Sequence, residues 1–148
     1  MEQVSEITVS YRPPKGSKNS PILSTSGDAF QAIYPHFNQA TIYLQEQFLV
    51  CYLDRGNRIK GVFSGFKGGI TGTVADVRII LGIALKSASS GIILAHNHPS
   101  GNIKASDTDM RLTSKIKAAC EIMDIQLLDH LIVSPNNTYM SFADSGQL

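Results

Sequence analysis

The fold is decided by the stretch Gly91-Ile92-Ile93-Leu94-Ala95-His96-Asn97-His98-Pro99-Ser100-Gly101. Its first five residues form a short, almost fully apolar run, which predicts a strand buried on both faces of a sheet. The two histidines follow at the end of that strand, and side chains two residues apart in an extended chain point to the same side. Both imidazole rings can therefore face one point at the edge of the sheet.

A helix that supplies a carboxylate is predicted to follow. Pro99 keeps His98 extended, and Gly101 allows the chain to turn away. The helix is predicted to begin at Ser106, so Asp109 falls in its first turn and can face back toward the strand end. An apolar stripe marks the buried side of this helix: Leu112, Ile116, Ala119, Cys120 and Met123.

Ser106 and Asp109 have two interpretations. S-x-x-D is the form of a capping box, in which the serine accepts a backbone N–H and the aspartate reaches back. Alternatively, Asp109 joins His96 and His98 as the third ligand of a catalytic Zn²⁺ ion, which takes imidazole and carboxylate ligands and keeps a fourth position for water. The paired histidines favour the metal site. The two roles are compatible because a carboxylate has two oxygen atoms.

A resemblance to a known family rests on these residues. The pattern H-x-H-P-x-G at 96–101, with S-x-x-D at 106–109, resembles the JAMM signature of the JAB/MPN metalloprotease superfamily. The longer stretch 91–102, with LLDHLIV at 127–133, is similar to the RadC-like branch, which carries an old DNA-repair label. The resemblance covers residues 45–148. It implies a single α/β domain with an MPN-like (cytidine-deaminase-like) mixed sheet flanked by helices.

The resemblance also implies an activity, the hydrolysis of a peptide or isopeptide bond in a peptide or protein substrate through a water activated by Zn²⁺. The family places a general-base glutamate on an upstream strand, and Glu46 matches that position. By its residue type alone, Glu46 is an ordinary solvated acid at a strand end. Ser106 is expected to donate a hydrogen bond to the oxyanion. Ser100, Asp129 and His130 are candidates for supporting the ligands, although a loop cap and an ordinary buried histidine are alternative interpretations.

The chain departs from the family pattern at two places. Ala105 stands where the family usually has proline, which is expected to loosen the loop without removing a ligand. Val74-Ala75-Asp76 replaces the more usual Pro-Arg-Glu, so any role of that arginine is in doubt.

Composition fits one compact domain and argues against several functions. The 148 residues are 43% hydrophobic and 17% charged, unlike a disordered chain. Thirteen Lys and Arg against 12 Asp and Glu give a net charge of +1, whereas surfaces that bind nucleic acid usually have a clear basic excess. Direct nucleic-acid binding is therefore disfavoured. No apolar run is long enough to span a membrane. Without a signal-peptide pattern, and with Cys51 and Cys120 predicted to be buried thiols, we expect a cytoplasmic protein.

Three other functions have features in common with this sequence. A zinc deaminase needs H-x-E and P-C-x-x-C, and Cys51 and Cys120 are too far apart for that pattern. An HNH-type nuclease, a DNA-associated metal-dependent enzyme, shares the letters His-Asn-His but spreads its histidines over a hairpin and a helix. A non-catalytic MPN-like scaffold stays open until the metal content is measured.

The chain is predicted to have two parts. Residues 1–24 are expected to form an N-terminal strand and a mobile arm, the strand because Ile7, Val9 and Tyr11 alternate with polar residues. Residues 25–148 are expected to form the RadC-like JAB/MPN domain.

Local signals predict the other elements. Ile79 and Ile83 give the helix before the metal motif a second apolar face, so this helix is either sandwiched or used to form a homodimer. A helix is predicted to be capped by Thr25 or Ser26 and ended or kinked by Pro35. A strand at 47–53 and a partner strand at 58–64 are predicted to follow, with a closing hairpin at 131–142. The glycine-rich segment 65–72 is predicted to be a loop and a candidate lining of the substrate groove, and Thr73 and Asp76 are predicted to form a capping box.

Overall fold

The computed structural model describes residues 3–68 and 75–148. In these residues the chain forms one domain with a five-stranded sheet and three α-helices. In chain order the elements are α1 (Ser26–Ile33), β1 (Gln47–Leu53), β2 (Ile59–Lys67), α2 (Val77–Lys86), β3 (Gly91–Asn97), α3 (Asp107–Ile122), β4 (Gln126–Val133) and β5 (Tyr139–Ser141).

The sheet is mixed, with the strand order β2-β1-β3-β4-β5. β1 pairs antiparallel with β2 and with β3, β3 pairs parallel with β4, and β5 returns antiparallel to β4. The parallel pair needs a crossover, which α3 provides. All seven residues of β1 and of β3 are buried, as their continuous apolar sequence predicts.

Helices cover both faces of this sheet, and the side chains of each strand divide between two apolar clusters. On one face, residues such as Leu49 and Ala95 pack against Phe30 and Ile33 of α1. On the other, residues such as Leu94 pack with α2 and α3 side chains, among them Ile80 and Ile116. The predicted mixed sheet flanked by helices is confirmed.

The predicted leading strand is wrong. Ile7 and Val9 are 89% and 81% exposed, and the chain around them has no strand. Alternation predicts a strand only where a partner supplies hydrogen bonds and an apolar surface. Such pairing begins later, where Ile22 forms an isolated antiparallel bridge with Arg58.

Other predictions were close but shifted. Thr25 caps α1, and the helix ends at Ile33, close to Pro35, as predicted; a short 3₁₀ turn then carries the proline. β2 continues to Lys67, so the first residues of the predicted loop at 65–72 belong to the strand. Residues 69–72 of that loop and Thr73 lie outside the described residues. Asp76 caps α2 by accepting the backbone N–H of Arg78 at 2.9 Å.

Apolar faces of the helices also differ in part from the predictions. Ile79 is 45% exposed, so the predicted second apolar face of α2 remains open on that side, and the homodimer stays a prediction. Met123 lies at the C-terminal cap of α3 and is 39% exposed, whereas Thr113 takes a buried position on that helix. Across the ranges that are described, we find no helix that is both long and apolar enough to cross a membrane.

Candidate metal centre

The two histidines lie at the end of β3 and face each other. His96 belongs to the strand, and the backbone N–H of His98 donates to the carbonyl oxygen of Val133 at 3.0 Å, which keeps the chain extended beyond the strand end. The Nε2 atoms of His96 and His98 are 3.0 Å apart. The prediction that both rings face one point is confirmed.

Asp109 is held beside these rings by the cap of α3. Ser106 Oγ accepts the N–H of Asp109 at 3.1 Å, and Asp109 Oδ2 accepts the N–H of Ser106 at 2.9 Å. The same carboxylate places Oδ1 3.2 Å from Nε2 of His96 and Oδ2 3.2 Å from Nε2 of His98. Capping and approach to the histidines therefore occur together, as the two oxygen atoms allow.

The electrostatics of this cluster favour positive charge. Burial alone raises the pKa of Asp109, but hydrogen bonds from His96 and His98, the charge of His96 and the backbone N–H of Ser106 outweigh it and hold the pKa well below its usual range. Burial alone lowers the pKa of His98, but its contacts with Asp109 and with the carbonyl of Asn102 outweigh it and raise the pKa. The carboxylate is thus ionised, and it favours positive charge at the neighbouring imidazole of His98.

His98 is oriented by a loop carbonyl. Its Nδ1 lies 2.6 Å from the backbone oxygen of Asn102, which can only accept, so Nδ1 carries the proton. In the neutral ring, Nε2 then has a lone pair that faces His96 and Asp109. Ser100 does not reach the ring: its Oγ accepts the N–H of Asn102 at 3.3 Å, which is the loop-cap interpretation.

Glu46 lies across from His98. In the antiparallel register Phe48 pairs with His96, and extending that register by two residues places Glu46 opposite His98. The Phe48 ring stacks on the His96 ring with centroids 5.9 Å apart, so these side chains share one face of the sheet. The Glu46 charge contributes to the raised pKa of His98, and the residue is half-buried. Its catalytic role stays a prediction.

Asn97, between the two histidines, is a residue that the sequence reasoning missed. It is fully buried on the opposite face. Its Oδ1 accepts the N–H of Gln47 at 2.6 Å, and its Nδ2 donates to the carbonyls of Ile42 and Gln45 at 2.8 and 3.0 Å. Asn97 therefore clamps the backbone on both sides of Glu46. Its position in the strand was the available signal. Side chains of a strand alternate between the two faces, so a polar residue between His96 and His98 points into the core on the other face and needs hydrogen-bond partners there.

Of the three residues predicted to support the ligands, only His130 has a side chain that contacts one of them. Its Nε2 lies 2.8 Å from Nδ1 of His96. The predicted role of Asp129 is wrong, because adjacent strand residues point to opposite faces of a sheet. The carboxylate of Asp129 instead accepts from Ser141 Oγ at 2.6 Å and from the N–H of Ala143 at 3.0 Å, and so holds the C-terminal segment.

The positions of these side chains determine what the centre can bind. Within the described residues, His96, His98 and Asp109 form a group able to hold a metal ion. The side chain of His96 is only 3% exposed, whereas those of His98 and Asp109 are each 15% exposed. The group is thus enclosed on the sheet side and reachable from solvent on the other.

Comparison with known proteins gives consistent matches. A family model described as "RadC-like JAB domain" matches residues 23–147. The chain is 40% identical over 124 residues to a UPF0758 protein of Flavobacterium johnsoniae and 36% identical over 126 residues to one of Porphyromonas gingivalis. These matches cover 84% and 85% of the chain but only 52% and 54% of the relatives. The chain thus spans about half the length of these relatives, and their names state no activity.

Proposed function

Because this chain belongs to the RadC-like JAB domain family, we propose that it is a metal-dependent hydrolase that binds Zn²⁺ and cleaves an amide bond in a peptide or protein. One observation carries this proposal. Nε2 of His96, Nε2 of His98 and the carboxylate of Asp109 approach one another to 3.0–3.2 Å at a partly open edge of the sheet.

The donor set fits a Zn²⁺ ion. Ligand atoms bound to one Zn²⁺ at about 2.0–2.1 Å in a tetrahedron are separated by about 3.3 Å, close to the separations found here. Two imidazoles and one ionised carboxylate are ordinary zinc ligands, and three protein ligands leave a position for water. The same atoms can share a proton, because contact with Asp109 raises the pKa of His98, so Zn²⁺ would bind in place of that proton.

The remaining residues support hydrolysis. A bound Zn²⁺ supplies Lewis acidity, which acidifies water and polarises a substrate carbonyl. Glu46, half-buried and opposite His98, would accept the proton from water and pass it to the leaving amine. Ser106 uses an oxygen lone pair for the N–H of Asp109, so its O–H proton remains to donate to the developing oxyanion. Removing such a donor costs on the order of 3 kcal/mol in the transition state of other enzymes.

The compartment is part of the same proposal. Cys51 and Cys120 are both unpaired and buried in the described structure. Free thiols are ordinary in a reducing compartment, which supports a cytoplasmic location.

Metal content is the first test. We expect elemental analysis of the purified protein to give about one Zn²⁺ per chain, in line with a single three-ligand site. His96→Ala, His98→Ala and Asp109→Ala should lose the metal. Asp107→Ala is the matched control, since Asp107 is an exposed acid in the same helical turn, and it should keep the metal. A wild-type protein that neither contains nor takes up a divalent metal overturns the proposal.

Activity is the second test. A library of peptides and isopeptide-linked substrates, incubated with and without a zinc chelator, should show chelator-sensitive cleavage. Glu46→Gln should keep the metal and lose the cleavage. Metal-dependent nicking of plasmid DNA without peptide cleavage would replace this proposal with a nuclease. Bound metal without any hydrolysis would replace it with a scaffold.

A further inference from the structure

A chain of buried polar contacts joins α3 to His96. Thr113 Oγ1 lies 2.7 Å from the carbonyl oxygen of Asp109 and 2.6 Å from Nδ1 of His130. The other nitrogen of His130, Nε2, lies 2.8 Å from Nδ1 of His96. Thr113, His130 and His96 are 3%, 0% and 2% exposed. The contacts therefore connect two candidate ligands through the interior of the protein.

The direction of each hydrogen bond follows from the first acceptor. A backbone carbonyl can only accept, so Thr113 donates its single proton to Asp109. Its oxygen must then accept from His130, which places the His130 proton on Nδ1. His130 is fully buried and therefore neutral, so its Nε2 is an acceptor. His96 must then donate from Nδ1, which leaves Nε2, the atom that faces His98 and Asp109, as the nitrogen available to a metal.

Aromatic packing prevents His130 from adopting another arrangement. The Phe142 ring stacks on His130 with centroids 4.7 Å apart and planes 14° apart. The Phe48 ring meets His130 at 5.6 Å and also stacks on His96. A buried ring held on two sides cannot rotate to exchange its nitrogens without displacing this core.

We propose that Thr113 and His130 are positioning residues that fix His96 in the tautomer able to bind a metal. This inference rests on the proposed function. Without the Thr113 hydroxyl, His130 no longer needs its proton on Nδ1, and a proton on Nε2 would turn His96 into an acceptor at Nδ1. The His96 proton would then lie on Nε2, the atom that faces the other ligands. Partners of this kind typically change metal affinity by about 10–100-fold.

A matched pair at position 113 tests the hydroxyl. Thr113→Val keeps the shape of the side chain and removes the hydroxyl, whereas Thr113→Ser keeps the hydroxyl. Titration with Zn²⁺ against a chromophoric chelator should show affinity about 10–100-fold weaker in Thr113→Val and near wild type in Thr113→Ser. Wild-type affinity in a folded Thr113→Val protein overturns the inference.

A second pair separates the two nitrogens of His130. His130→Gln places an amide near the former Nε2, where it can accept from His96, and His130→Asn places one near the former Nδ1. We expect His130→Gln to bind Zn²⁺ more tightly than His130→Asn. The reverse order contradicts the assigned direction of the contacts.

A direct readout needs no variant. Nitrogen-15 NMR of the wild type should show the proton of the neutral His130 ring on Nδ1, and a His130 proton on Nε2 overturns the inference. The two proposals fail separately in these experiments. Absence of Zn²⁺ binding in the wild type overturns the proposed function, whereas tight wild-type binding that Thr113→Val leaves unchanged overturns only the role of Thr113 and His130.

Discussion

Asn97 accepts the backbone N–H of Gln47 at 2.6 Å, a contact between two residues that are 50 positions apart in the chain. This hydrogen bond joins the middle of the His-Asn-His motif to the residue that follows Glu46. The backbone therefore connects the candidate metal ligands to the candidate general base, through a contact on the face of the sheet opposite to the candidate metal centre.

Replacing Asn97 by alanine should destabilise the protein and displace Glu46. The change leaves the carbonyls of Ile42 and Gln45 and the N–H of Gln47 buried without partners, which we expect to cost on the order of 3 kcal/mol. Urea unfolding monitored by circular dichroism measures the loss. Asn19→Ala, at an exposed position, should stay within about 0.5 kcal/mol of wild type. Equal stability of the two variants would show that the hydrogen bonds of Asn97 do not stabilise the fold.

Removing the metal should lower the melting temperature. The three candidate ligands come from β3, the segment that follows it and α3, so the proposed ion would bind the folded state and not the unfolded chain. At a free Zn²⁺ concentration 100-fold above the dissociation constant, the gain is about 2.7 kcal/mol. Scanning calorimetry with and without chelator, followed by addition of Zn²⁺, checks this. His98→Ala serves as the control, because its melting temperature should not respond to either addition.

The two cysteines should be unreactive in the folded protein. Burial raises the pKa of Cys51 to about 12 and that of Cys120 to about 11, the latter with a smaller contribution from Glu121. The thiolate is the reactive form, so a disulfide reagent at pH 8 should label neither residue until the protein is unfolded. Ser114→Cys introduces an exposed thiol on α3 and should react at once. Fast labelling of the wild type would contradict the burial of these residues.

The cap of α1 should make stability depend on pH in the acid range. Hydrogen bonds from the backbone N–H groups of Ser24 and Thr25 hold the pKa of Asp28 below its usual value. A carboxyl whose pKa is lowered by folding stabilises the protein above its unfolded pKa of about 3.9 and loses this effect as the pH falls toward the folded pKa. Asp28→Ala should thus be less stable than wild type at neutral pH, and the difference should shrink below about pH 4. A difference that is constant from pH 7 to strong acid would show that ionisation of Asp28 plays no part.

Local patterns in the sequence were enough to identify the candidate ligands. Alternation in extended chain brings His96 and His98 to one side, and a capping box fixes Asp109 in the first turn of α3. Both signals act over a few residues of backbone, so they hold whatever the rest of the fold does. The continuous apolar sequence of β1 and β3 likewise predicts burial on both faces.

Contacts between distant residues could not be predicted in this way. Alternation at Ile7 and Val9 predicts a strand, yet no pairing forms there. Asp129 is predicted to support a ligand, yet its carboxylate lies on the other face of β4, where it contacts Ser141. His96 and His130 are 34 residues apart, and Thr113 contacts His130 from another element.

By itself, the sequence determined which three side chains could meet, because local backbone geometry places the two histidines on one side of a strand and the aspartate in a helix cap. Only the tertiary structure decided what holds those side chains in place. The partners Thr113, His130 and Asn97 depend on strand register and on how α3 packs across the sheet, and these are properties of the whole domain.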